Sequence, residues 1–417
     1  MIRRPPRSTP SNSSAASDVY KRQPEYPPEF YIERRQAYSI IFKSISSRYI
    51  VNSDGVFSAQ SKIQRIFRDL QTRIRLDKYS SYVDFTTKSL FNGLQKVEVP
   101  GGFNFDDLVL VLRKNRIVTR WVQVMYSQLN EEIKNKIAPI IDKEKIRLKK
   151  AIEGIGKVTR EFNKRGYHLL VIKTLDNYPD LGHDIDLYTD APIVDIDEIF
   201  INKFKAKLQP PTFADRLSRK RNYKIDSYGT FEVHCSRLGE LGEDNLLAQD
   251  LILNGVKIEI GGVAVFVPKP EYRLLLCVLQ RIYRHFNVRI CDVFNTINQI
   301  NGGEIDWIYL QNVSKRYGIW RGVLLYLSYI KKIADYYNIK LEINQSLIVR
   351  NWPAAVKDRN MHFRFPLFYT GMNVYWSKIV SDIVHLNFHS LFRIPLVVPL
   401  SLIHYCSVKL TGKDGIW

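Results

Sequence analysis

From Asn130 to Arg165 the apolar residues Leu148, Ile152, Ile155, Val158 and Phe162 recur every three or four positions, with Lys, Arg and Glu between them. That spacing lays one apolar stripe along a cylinder, so it predicts an amphipathic helix, which Gly166 stops. The period then changes. Tyr167-His168-Leu169-Leu170-Val171-Ile172 is a short apolar run that reads as a buried strand. After a loop of Pro, Asp and Gly, Asp184-Ile185-Asp186-Leu187-Tyr188 reads as a second strand. Arg216 to Lys224, including Arg219-Lys220-Arg221, reads as a basic loop, and Thr230-Phe231-Glu232-Val233-His234 as a third strand. Val256 to Val267 alternates around Gly261-Gly262, the pattern of a hairpin with a tight two-glycine turn. Beyond Pro270, placed like a first-turn proline, Leu274, Leu275, Val278, Leu279, Ile282 and Phe286 restore the helical period, and more helices are expected up to Tyr337. From about Asn373 an amphipathic helical pattern leads to Pro395-Leu396-Val397-Val398-Pro399-Leu400, which reads either as core packing or as an interfacial membrane contact.

Composition narrows the partners. The chain has 417 residues, 45% of them hydrophobic, enough for a sizeable core and a globular fold of two or three domains. Lys and Arg exceed Asp and Glu by 20, which favours an anionic partner such as a nucleotide, nucleic acid or membrane surface. Residues 1–23 are rich in Ser, Pro and Arg, lack any apolar period and read as translated sequencing-adapter DNA, a disordered non-native leader. Setting aside its five basic residues and one acid takes the charge from +20 to +16, so the basic character survives. Cys235, Cys277, Cys291 and Cys406 form no CxxC pair, which leaves a disulfide framework or structural zinc site unwritten and points to a reducing cytosol. No stretch reaches the roughly 20 apolar residues that cross a bilayer, so no integral membrane segment is expected.

The candidate chemistry lies on the second and third strands. Side chains alternate across a strand, so Asp184 and Asp186 share one face while Ile185 and Leu187 point to the core. Carboxylates that close repel unless a cation bridges them, and hard Mg²⁺ or Mn²⁺ prefers such oxygen ligands. Glu232 and His234 share a face by the same alternation, offering a third carboxylate and a partner behind it. No Ser/His/Asp order and no glycine-rich P-loop supports another chemistry. His285 reads as helix packing.

The order of helix, buried strand, polar loop, Asp-Ile-Asp-Leu strand, basic segment and acid-bearing strand resembles the DNA polymerase beta superfamily of nucleotidyltransferases. Within it, the chain is most similar to the nucleotidyltransferase-5 branch through Leu169 to Thr189 and Phe231-Glu232-Val233-His234. The likeness continues through Pro268-Lys269-Pro270-Glu271, Arg289-Ile290-Cys291-Asp292-Val293, Ile305-Asp306-Trp307 and Arg316-Tyr317-Gly318. It implies an α+β fold: a small mixed sheet flanked by helices, with a helical C-terminal domain and a helix-rich N-terminal region.

The resemblance also implies two Mg²⁺ or Mn²⁺ ions on Asp184, Asp186 and Glu232, the catalytic residues, with an NTP such as ATP and an unknown hydroxyl acceptor as substrates. Lys173, Thr174, Gly182 and His183 are the candidate nucleotide contacts, His234 supports the ligands, and Arg219, Lys220 and Arg221 are candidate phosphate contacts. One departure stands out: the family's Gly-Ser pair after the first strand is here Lys173-Thr174. The expected organisation is 24–128 of unread role, 129–268 the catalytic core, 269–345 a helical domain and 346–417 an apolar, amphipathic tail. Two rivals remain, a glycosyltransferase using Asp-x-Asp and a binding module that keeps the fold without the chemistry; the first lacks a preceding run of alternating strands and helices.

Overall fold

A long helix, α3 (Glu131–Lys164), forms where the apolar stripe predicts it. Asn130 caps it by accepting the Ile133 N–H at 2.9 Å, Glu131 and Glu132 sit in its first turn, and Ile137, Ile141, Ile152, Ile155, Val158 and Phe162 are its buried face. Among the described residues three shorter α-helices precede it, one over 79–92 and then α1 (Phe105–Lys114) and α2 (Val118–Met125). The computed structural model describes residues 79–92, 103–211, 213–239, 244–350, 356, 358–359, 361–388 and 390–394. The expected leader 1–23, residues 24–78 of the unread region, and the apolar run 395–400 lie outside the described residues.

The fold is α+β, built on a seven-stranded mixed sheet. Its strands are β1 (Leu169–Val171), β2 (Asp184–Thr189), β3 (Lys207–Leu208), β4 (Lys220–Ile225), β5 (Gly229–Cys235), β6 (Gly255–Ile260) and β7 (Val263–Pro268), in the order β3-β4-β5-β2-β1-β7-β6. β2 runs parallel to β5 and β1 parallel to β7; the other neighbours are antiparallel. Gly261 and Gly262, at φ 56° and 75°, make the turn of the β6–β7 hairpin, whose last pair is Ile260 opposite Val263.

One expectation fails here. Arg216 to Lys224 is not a loop: a short helix, Phe213–Ser218, leads into β4, which pairs along its length with β5. Tyr223 and Ile225 point into the core while Lys220, Asn222 and Lys224 take the other face, a period of two that the basic residues conceal.

The sheet divides two cores. Ile185, Leu187, Phe231 and Val233 pack with Phe162 of α3 and with Phe200 and Tyr223, whose rings stack at 4.3 Å. Leu170, Ile172 and Tyr188 face the opposite way, into a core shared with α1, α2 and helices that come after β5. These are α6 (Asn245–Leu253), α7 (Pro270–Val278), α8 (Ile290–Asn301), α9 (Trp307–Arg316) and α10 (Trp320–Tyr336), once the short helices Ile193–Asp197 and Phe213–Ser218 are counted as α4 and α5. The helix predicted from Pro270 through Phe286 continues past α7 as a π-helical stretch, Leu279–His285.

The tail helix, α11 (Leu367–Val384), starts before Asn373. Its inner side is held by Val374 and by Lys378, whose Nζ lies 2.8 Å from Asp244 Oδ1 with both side chains buried. Met372, Trp376, Val380 and Ile383 are exposed on it. Among the described residues, no helix is long and apolar enough to cross a membrane.

Candidate metal centre

Register places the acids. β2 and β5 pair in parallel so that Asp184 lies beside Thr230, Asp186 beside Glu232 and Tyr188 beside His234. These residues share the face opposite Ile185, Leu187, Phe231 and Val233, the face turned toward the helical core. One ligand atom each of Asp186, Glu232 and His234 lies within 4.8 Å of the others. Asp184 stands outside that group, exposed at the start of β2. Partial desolvation, and then the charges of Glu232 and Asp186, hold its carboxyl above the usual range.

Each inner carboxylate already carries a cation. Lys173 Nζ is 2.8 Å from Asp186 Oδ1, and Lys220 Nζ is 3.2 Å from Glu232 Oε2 and 3.1 Å from Asp215 Oδ1. Lys220 reaches the site because it faces His234 across the antiparallel β4–β5 pair, and directly opposed residues share a face. Burial alone would lower its pKa, but Glu232 and Asp215 outweigh that and raise it. Burial likewise opposes ionisation of Glu232. The hydrogen bond from His234, with Lys220 and Lys173, nevertheless holds its carboxyl well below the usual range. Burial lowers His234, so the neutral ring donates from Nε2 to Glu232 Oε1 at 3.0 Å. Its buried Nδ1 has no partner among the described residues. Two carboxylates and an imidazole whose buried Nδ1 is orphaned make a donor set that suits a divalent cation once the lysines move aside.

The Lys173-Thr174 pair is absorbed by the same strand. Lys173 adopts φ 58°, a left-handed conformation that favours glycine, and Thr174, 1% exposed, uses its hydroxyl to accept the Asp186 N–H at 2.7 Å. Thr174 is thereby committed to holding β2, which explains why a buried hydroxyl sits at a position expected from sequence to contact nucleotide. Of the three basic residues in sequence, only Lys220 meets the acids: Arg221 turns to the other face, 3.8 Å from Asp197, and Arg219 is exposed.

The loop from β1 to β2 is pinned on both sides. Arg147 of α3 donates to the carbonyls of Gly182 and Leu181 at 2.6 and 2.7 Å. Asp180 accepts the N–H groups of Thr119 and Arg120 at 2.5 and 3.2 Å, capping the start of α2. Gly182 has a steric role, because a Cβ there would fall 2.9 Å from the Cζ of Arg116. His183 precedes Asp184 and only partly offsets the rise in that neighbour's pKa.

Sequence reasoning missed Arg116, which lies in a region without a motif. It also missed the cationic character of the helical wall, where Arg281 and Arg289 are 2% and 9% exposed. Burial and the charges of Arg281 and Arg116 push Arg289 down to about 9. A buried arginine beside other arginines is the signal, and it is readable only in three dimensions.

No family model matches the chain, and no curated protein matches it. Among solved structures, the chain is similar to an antigenic nucleotidyltransferase-like protein from Paracoccidioides brasiliensis, at 12% identity and a TM-score of 0.31, over 48% of this chain and 96% of that one. It is also similar to a tRNA-processing enzyme in an apo form, at 9% identity and a TM-score of 0.24, over 50% of this chain and 60% of that one.

Proposed function

We propose that this protein is a metal-dependent nucleotidyltransferase that moves an NMP from an NTP, ATP among them, to a hydroxyl acceptor and releases pyrophosphate. The observation that carries the reading is the in-register parallel pair of β2 and β5, which sets Asp186 beside Glu232 and Asp184 at the neighbouring outward position of the same strand. Asp184, Asp186 and Glu232 would hold two divalent ions, with His234 orienting Glu232. Mg²⁺ or Mn²⁺ so bound would lower the pKa of the acceptor hydroxyl and offset charge on the triphosphate. Lys173 and Lys220 neutralise the inner carboxylates in the cation-free protein and must swing away for ligation. The acceptor oxygen bonds to the α-phosphorus as the bond to the pyrophosphate oxygen breaks. The unpaired Cys235, Cys277 and Cys291 fit a reducing compartment, the cytosol.

The test incubates the full chain with each α-radiolabelled NTP and Mg²⁺ or Mn²⁺, reading self-labelling and pyrophosphate release. Turnover that Glu232→Gln abolishes is expected. Absence of turnover with every NTP, from protein that binds Mn²⁺, overturns catalysis and leaves the second reading, a binding module. That alternative is favoured by one observation, the lysine on each inner carboxylate. Sugar transfer from a nucleotide sugar, without NTP turnover, would instead identify a glycosyltransferase.

A further inference from the structure

The helical wall of the cleft carries positive charge that its own acid does not answer. Arg289, the N-cap of α8, has Nε and Nη1 buried without a hydrogen-bond partner among the described residues. Asp292, the acid beside it, is already engaged: its Oδ2 lies 2.7 Å from Arg281 Nε, its Oδ1 accepts from Arg281 Nη2 at 3.2 Å, and its Oδ2 also accepts the N–H of Arg289 at 2.8 Å.

Arg116 is brought to the same place from a different part of the chain. Asn115 Oδ1 accepts the N–H of Ile290 at 3.0 Å, which docks the α1–α2 turn on the start of α8. The guanidinium of Arg116 then rests over Gly182, two residues before Asp184. Arg281 closes the arc, since it and Lys173 line one cavity of about 30 Å³. A buried guanidinium with unfilled donors is costly without an anion, and planar guanidiniums grip phosphate oxygens in pairs. On the sheet side Lys173 is paired with the Asp186 carboxylate and the Thr174 hydroxyl accepts the Asp186 N–H, so both are already engaged.

We propose that Arg289 and Arg116 are the seat of a polyphosphate, binding the β- and γ-phosphates of the nucleoside triphosphate from the helical side while its α-phosphate faces Asp184 and Asp186. The chemistry recognised is a chain of phosphates; calling it an NTP rests on the nucleotidyl-transfer reading. Gly182 belongs to this device, because its bare Cα leaves room for the Arg116 guanidinium.

The experiment titrates the full chain with inorganic tripolyphosphate in EDTA by calorimetry, and separately measures Mn²⁺ binding by electron paramagnetic resonance. The parent binds tripolyphosphate. Arg289→Met and Arg116→Met each weaken it about tenfold to a hundredfold, the loss of a charge-assisted contact, with Mn²⁺ affinity within about twofold of the parent. Gly182→Ala is the third variant and guards against misfolding of Arg289→Met. Its added methyl meets only the far end of the Arg116 side chain, so the protein stays folded and loses tripolyphosphate affinity. A parent that ignores tripolyphosphate, or folded Arg289→Met and Arg116→Met proteins that bind it like the parent, overturns the proposal. A parent that binds tripolyphosphate through these arginines but takes up no Mn²⁺ sinks the metal-dependent reading and leaves the polyphosphate seat standing. ATP and a single-stranded oligonucleotide form the last arms. Competition by ATP at the same variants assigns the phosphates to a nucleotide, whereas competition by the oligonucleotide alone overturns that assignment in favour of a nucleic-acid backbone.

Discussion

Asp186→Asn separates two views of the carboxylate site. Read from sequence, three acids repel one another in the metal-free protein, and neutralising one should leave stability equal or higher. The structure reverses the sign. Asp186 is paired with Lys173 at 2.8 Å, and the two side chains are only 17% and 14% exposed. At that distance and an effective dielectric constant of about 20, the gross attraction is about 6 kcal/mol. Desolvation of both ions cancels much of it, and an Asn oxygen still accepts a hydrogen bond from the ammonium. Glu232 also remains within electrostatic reach of Lys173, so the lysine is not stranded. The net loss is therefore that of one charge-assisted hydrogen bond in a mostly buried place, about 1.5 to 3 kcal/mol.

In a domain of this size that corresponds to a fall in melting temperature on the order of 5 °C. The assay is a set of thermal melts of parent and variant, each with EDTA, with Mn²⁺, and with Mn²⁺ plus ATP. The parent should gain about 2.7 kcal/mol at a hundredfold ligand excess over the dissociation constant, because only the native state binds, and the variant should lose most of that gain. An Asp186→Asn protein that melts at or above the parent in EDTA refutes the idea that lysine pairing outweighs the mutual repulsion of the acids. A variant that melts lower yet gains the full amount from Mn²⁺ and ATP makes Asp186 scaffolding.

Lys173→Met should tighten Mn²⁺ binding several-fold, since it removes the competitor on Asp186; an unchanged Mn²⁺ isotherm shows that the lysine does not guard the site. Burial and the Arg289 guanidinium push His362 down to about 3. Its folded pKa lies below the unfolded value, so the unfolded state binds the extra proton and stability falls as pH drops below about 6.5. His362→Gln should flatten the decline between about pH 6 and 4, and an unaltered slope in urea titrations at stepped pH excludes this histidine as a cause. We also propose that the exposed stripe of Met372, Trp376, Val380 and Ile383 adsorbs to anionic vesicles, which the basic net charge favours. Co-flotation with phosphatidylserine vesicles that Trp376→Asp leaves undiminished counts against it.

The parts of the site legible in sequence are those written in one strand at a time. Asp186, Glu232 and His234 declare their faces through alternation with Ile185, Leu187, Phe231 and Val233, and that period needs no knowledge of the neighbours. The pairing that sets Asp186 against Glu232 is implied only by strand order. Lys220 shows where local reading stops. In a chain so rich in Lys and Arg, Arg219-Lys220-Arg221 looks like a solvated loop, yet Tyr223 and Ile225 just beyond it have the spacing of a half-buried strand. That period is the signal for β4, and the antiparallel register then carries Lys220, but not Arg221, to the acids.

The helical wall obeys a different limit. Arg116 and Arg289 meet because Asn115 holds Ile290 across 175 residues of chain, and no periodicity reports a contact of that range. Lys173 lies between these cases. Its neighbourhood in sequence is plain, but its left-handed backbone and its ion pair are not, and together they turn a position expected to cradle phosphate into one that occupies a carboxylate. With that cradle filled, phosphate recognition falls to the opposite wall, so the unusual Lys173-Thr174 pair and the arginine across the cleft, whose Nε and Nη1 lack partners among the described residues, are two consequences of one arrangement. If so, relieving the first should leave the second intact: in Lys173→Met, tripolyphosphate should still bind in EDTA, and its loss there would place the phosphates on the lysine after all.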